Sequence, residues 1–183
     1  MSFLRWLFGS KENISDKALE HSSKGTFKAN GKLKSGGHGE ECLKQLKKNN
    51  IEYNIVKEYK NGVRVGNVPS HDKQIKRKGT NQSWFPQNWD RKKIKKAGQV
   101  VSRGGKKPDG QIKVGYYENV NVGVIRTNGN VATIFPMNIQ KNRKGKIIDE
   151  LKKNKGTNSR KRWNGSSKWC FSWSKSRTII GNI

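Results

Sequence analysis

Residues 122–136 read VGVIRTNGNVATIFP, and this stretch decides the fold. β-Branched and aromatic side chains fill both of its halves, the composition that a pleated, half-buried surface selects. Between the halves stands Asn128-Gly129, a dipeptide that tolerates positive φ at both centres of a type I′ turn. Two antiparallel strands, 120–126 and 130–135, are therefore expected, joined by a tight hairpin. Upstream, 111–117 has the same strand-like character and adds a third strand to an antiparallel meander.

Outward from this sheet the pattern turns helical. Trp89, Ile94, Ala97 and Val101 form one apolar stripe, which predicts a helix ending near Val101 with Asn88 or Asp90 as its N-cap. Residues 53–59 and 63–68 are β-rich and meet at Asn61-Gly62, a second hairpin signal, before Pro69 ends the run. Residues 40–48 carry Leu43 and Leu46 at helical spacing, with acids early and lysines late, as the helix dipole favours. A further short helix opens at Ser15 and runs into His21. Between these two helices, 24–34 reads as a basic, mobile loop, and 70–83 and 102–110 read as connections. The expected fold class is α+β, with N-terminal helices packed on antiparallel β-sheet. The domain spans 15–137, after a lead of 1–14 and before a basic tail, 138–183.

Forty Lys and Arg against 13 Asp and Glu give a formal charge of +27. A field of that size calls for a polyanionic partner, whether RNA, DNA or an acidic protein surface, and small domains need far less charge for solubility alone. Cys42 and Cys170 show no CxxC pairing, so neither a zinc knuckle nor a disulfide framework is written here. Three scattered histidines and no spaced carboxylate cluster supply no ligand set for zinc or a two-metal nuclease. No metal and no cofactor are expected, and the chemistry should survive chelation. No apolar run reaches the length of a membrane span, and residues 1–8, MSFLRWLF, are too short for a signal-peptide core. Export would use a larger precursor or a dedicated route.

The histidines are His21, His38 and His71. His21 and His38 flank a glycine-rich loop, and His38 sits in Gly-Gly-His-Gly just before a helix. Glycines allow backbone to approach a phosphate, and a helix N-terminus suits an anion. Two imidazoles near their ordinary pKa can share one phosphodiester reaction, one as base and the other as acid. For RNA this is transesterification through the 2′-OH to a 2′,3′-cyclic phosphate, with a lysine beside the non-bridging oxygens stabilising the added charge. The bland alternative is surface or capping histidines. His71, in Pro-Ser-His-Asp, could replace either partner or serve only as a local hydrogen-bonding residue.

The ordered set of Gly36-Gly37-His38, a hairpin, SWFPQNW at 83–89 and VGVIRTNGNVATIFP resembles the bacterial EndoU nucleases, many of which are toxin modules of polymorphic secreted systems. The resemblance covers roughly 21–136. VATIFP at 131–136 also resembles the last strand of the nidoviral endoribonucleases. It implies the EndoU, ribonuclease A-like fold, His38 as general base and His21 as general acid, Thr133 contacting uracil or phosphate, and Phe135 stacking on the base. Viral and animal members of the family place a lysine shortly before the helix that follows the hairpin; GTNQSW at 79–84 contains none, so Lys78, the nearest, or Ser83 serves in that role, or no single residue does.

Other residues carry two readings each. Phe85, Pro86 and Trp89 suit core packing at a helix entry better than a base platform. Arg126, across the Asn-Gly turn from Thr133, is a candidate phosphate contact or a solvated strand residue. The cationic face of 91–96 is solvated or tracks an RNA backbone.

The first functional expectation is a metal-independent endoribonuclease, a monomeric toxin module secreted or delivered into the cytoplasm of a target cell. RNA is its substrate, with tRNA one candidate. A cognate immunity protein, acidic where it meets this charge, would protect the producer. The competing expectation is a non-catalytic RNA-binding protein that uses the tail and its tryptophans. That tail holds 13 basic and 2 acidic residues, a helix-like patch at 146–153 and the cluster Trp163, Trp169, Phe171 and Trp173. Anionic membrane surfaces and nucleic acid both fit it.

Overall fold

The computed structural model describes residues 12–103 and 105–149. Helix α1 (Asp16–Ser23) starts at Ser15, whose Oγ accepts the Ala18 N–H at 3.2 Å. Two short strands follow, β1 (Thr26–Phe27) and β2 (Leu33–Ser35), then α2 (Glu40–Lys48). Strands β3 (Asn54–Glu58), β4 (Arg64–Asn67) and β5 (Gln82–Trp84) form a second antiparallel sheet. Helix α3 (Arg91–Ser102) is capped by Asp90, whose carboxylate accepts the Lys93 N–H at 2.8 Å. The meander closes the fold as β6 (Ile112–Tyr117), β7 (Val120–Thr127) and β8 (Asn130–Pro136), paired in that order. The α+β class is as expected, and Asn128 and Gly129 both take positive φ, 51° and 72°, as a type I′ turn requires.

Three local expectations give way to tertiary contacts. At Asn61-Gly62 only Gly62 is left-handed. The Asn61 carboxamide is bonded to the Asn119 carbonyl and to Gln140 Oε1, both at 2.9 Å, and these bonds fix a different turn. The 24–34 loop folds into the β1–β2 hairpin because Leu33 is fully buried beneath α2 with Cys42, Leu43, Leu46 and Trp84. The end of the 70–83 connection becomes β5, with Gln82, Ser83 and Trp84 all buried against β4.

Two hydrophobic cores result. Ile94, Ala97 and Val101 of α3 pack with Ala18 and Leu19 of α1 against Val122, Val124 and Ile134 of the meander. Each fully buried aliphatic side chain there stabilises by roughly 1.5–3 kcal/mol. The smaller core holds α2 against Leu33, Val68 and Trp84. Adjacent residues connect the two, since Trp84 belongs to the smaller core and Phe85 to the larger, where it stacks on Trp89 at 5.0 Å between ring centroids. Phe85 and Trp89 are thus core residues rather than a base platform.

The ordered chain runs past 137. Gln140 is fully buried and bonds the Asn121 backbone, and Lys141 pairs with Ile147 as an isolated β-bridge. Residues 146–149 are therefore not helical. The remainder of that patch, Cys170 and the tryptophan cluster of the tail lie outside the described residues. No helix among the described residues is long and apolar enough to cross a membrane.

Candidate active site

The end of α1 organises the site. A helix leaves its last four carbonyls without intrahelical partners, and segment 36–39 supplies donors to three of them. The N–H groups of Gly37, His38 and Gly39 bond the carbonyls of His21, Ser22 and Ser23 at 3.0, 2.7 and 2.8 Å. Backbones this close exclude side chains. A Cβ on Gly36 would collide with the His21 carbonyl oxygen, and one on Gly37, at φ +73°, would lie 2.6 Å from Cys42 Sγ. The glycines therefore set His38 beside His21 through helix-end packing. The amides of 37–39 are already bonded to the end of α1 and are not free to hold a phosphate.

His38 is buried, and its Nδ1 lies 2.7 Å from the Ser83 carbonyl oxygen of β5. A carbonyl only accepts, so Nδ1 carries the hydrogen and the neutral ring keeps its lone pair on Nε2. Burial, reinforced by the Lys76 ammonium, holds His38 well below the ordinary histidine range. Its ring stands 5.6 Å from that of Phe135.

His21 is half-buried, with Nδ1 at 3.1 Å from Thr26 Oγ1. Burial and then Lys73 and Lys76 lower its pKa. The adjacent Ser22 docks α1 on β8: its hydroxyl donates to the Ala18 carbonyl at 2.7 Å and accepts the Ile134 N–H at 2.9 Å. This brings His21 next to Thr133. His21, His38, Ser83, Thr133 and Phe135 line one cavity of about 260 Å³, together with Lys73, Lys76 and Asn81. The Ser83 hydroxyl donates to the Pro136 carbonyl at 2.6 Å and ties β5 to β8.

The other sequence candidates lie elsewhere. Lys78 is exposed and lines a separate depression beside the 3₁₀ turn Gln74–Arg77. Arg126 is only 3% exposed, clamped by both oxygens of Glu12 at 2.8 and 2.9 Å and by the Gly129 carbonyl, so it is neither solvated nor at the cavity. His71 is fully buried outside the cavity, its Nδ1 accepting the Lys73 N–H at 2.8 Å. On α3, Arg91 pairs with Glu41 and Lys93 with Glu118, so part of that cationic face is engaged within the protein.

Sequence reasoning missed Lys73, Lys76 and Asn81 of the lining, and Gln82, which holds Lys76 from outside it. Lys76 points its ammonium to Gln82 Oε1 at 2.6 Å, and burial lowers its pKa to about 8. The buried Gln82 amide in turn donates to the Gly36 and Gly37 carbonyls at 3.2 and 2.8 Å. In the sequence Lys76 is one cation among Lys73, Arg77 and Lys78, and no local pattern separates it. The run Gln82-Ser83-Trp84, polar residues abutting a buried tryptophan, was the available hint.

A family model described as "Bacterial EndoU nuclease" matches residues 15–138. No curated protein and no solved structure matches the chain.

Proposed function

The chain belongs to the bacterial EndoU nuclease family, and from that premise we propose that it cuts RNA by 2′-OH transesterification. The observation that carries this reading is the convergence of His21, His38 and Thr133 on one cavity, with His38 Nε2 free. His38 takes the proton of the 2′-OH. The 2′ oxygen then bonds to phosphorus as the P–O5′ bond breaks, and His21, as imidazolium, protonates O5′. The products are a 2′,3′-cyclic phosphate and a 5′-hydroxyl. Burial and the neighbouring lysines depress both imidazoles, and a phosphodiester between them favours the charged form of His21.

Lys76, held on Gln82, takes the role considered for Lys78 or Ser83 and stabilises the non-bridging oxygens. Ser83 fixes the tautomer of His38 through its carbonyl. Thr133 and Phe135 hold the base, uracil by the family resemblance. The formal charge of +27 suits an RNA substrate. We read the chain as a toxin module acting in the cytoplasm of a target cell, neutralised by an immunity protein with an acidic contact face.

Incubation with RNA in EDTA, followed by sequencing of the RNA ends, tests the reaction. Fragments ending in cyclic phosphate after uridine are expected, and His21→Ala and His38→Ala should each abolish cutting while RNA binding persists. Binding without any cutting by the wild type would instead make this a passive RNA-binding protein.

A further inference from the structure

A larger cleft, of about 890 Å³, adjoins the catalytic cavity and shares His21 and Thr133 with it. Its walls are the exposed side of α1, the β1 strand with Phe27, and the edge of β8 with the Asn128-Gly129 turn. The register explains its shape. Ile125 pairs with Thr133 and Arg126 with Val131, which leaves Ala132 as a bulge residue without a cross-strand partner, beside the reacting centre. The volume lies within the roughly 300–1,000 Å³ of small-ligand sites.

The lining is suited to a nucleotide. Lys17 is exposed and makes no ion pair among the described residues, and the Asn128 carboxamide has no partner among them. Phe27 adds an aromatic side chain on which a base can stack. Glu20 is the single acid of the lining, with Lys24 at 3.7 Å.

Direction follows from which residues the two cavities share. His38 and Phe135 line only the smaller cavity, so the nucleotide that supplies the 2′-OH lies there. His21, which protonates the leaving O5′, stands at the boundary. Resting on the transesterification reading above, we propose that the larger cleft binds the nucleotide on the 3′ side of the cut, with Lys17 on its 3′ phosphate and Asn128 and Phe27 on its base.

The test compares three substrates: uridine 3′-(4-nitrophenyl phosphate), which has no downstream nucleoside, the dinucleotide UpA, and UpAp with a terminal phosphate. The variants are Lys17→Ala and Asn128→Gly, the latter retaining the turn's positive φ. Asn128→Gly should lower kcat/KM about fivefold to tenfold for UpA and UpAp. Lys17→Ala should do so for UpAp and spare UpA. Both should leave the nitrophenyl ester within about twofold of wild type. Equal losses on all three substrates, or no loss on any, overturn the assignment. Wild-type protein inert toward all three would overturn the transesterification reading, and this assignment with it.

Discussion

Replacing Gln82 by leucine tests whether the site is held by one buried amide. The substitution nearly preserves volume while removing two donors, to the Gly36 and Gly37 carbonyls, and the acceptor of the Lys76 ammonium. Each neutral hydrogen bond contributes about 1 kcal/mol, and the charge-assisted one about 2 kcal/mol. The more apolar leucine offsets about 1 kcal/mol of this, for a net destabilisation of about 3 kcal/mol. Urea denaturation should report that loss, and the melting midpoint should fall by about 10 °C. RNA cutting per folded molecule should fall as well, because Lys76 and the loop carrying His38 lose their common anchor. Gln82→Glu keeps an acceptor for Lys76 but sets carboxylate oxygen against the two glycine carbonyls, so it should not restore stability. A leucine variant that loses less than about 1 kcal/mol and cuts at the wild-type rate would refute the reasoning.

The pH profile has a definite sign. The proposed reaction needs His38 neutral and His21 protonated, and both are depressed, so kcat/KM should peak below the ordinary histidine pKa of about 6.5 and fall as pH rises through that of His21. Lys73→Gln removes a cation that depresses His21, and should move the alkaline limb to higher pH in initial-rate measurements. Stability depends on pH through His71, whose folded-state pKa is pushed down to about 4 by burial. Its share of the stabilisation is complete above about pH 6.5 and lost as pH falls toward 4, at most about 3 kcal/mol; His71→Asn should remove that share in urea titrations and leave the slope that buried His38 contributes. Gly123→Ala puts a Cβ 2.7 Å from Phe135 Cζ and 3.1 Å from Met137 Sδ. The displaced ring should raise KM for UpA about fivefold with kcat little changed, and unchanged kinetics would remove Phe135 from base binding. Glu12→Gln leaves Arg126 buried with its charge uncompensated and should cost about 2–3 kcal/mol in urea denaturation, with the cutting rate of folded protein unaffected.

The sequence by itself determined what repeats locally. The meander followed from β-branched runs around Asn128-Gly129, and the three helices from caps and apolar stripes, because backbone preference and burial period act over neighbouring residues. The histidine pair and Thr133 were legible through motif order. The tertiary structure alone decided the rest. Leu33 creates a hairpin because a distant helix covers it, and Arg126 is structural because Glu12, more than a hundred positions away in sequence, reaches it. Lys76, not Lys78, faces the cavity because its ammonium meets the buried amide of Gln82, whose other contacts are two glycines held against the end of α1. Such selection depends on hydrogen-bond partners brought together by packing, and a run of similar cations carries no local sign of which one will be enclosed.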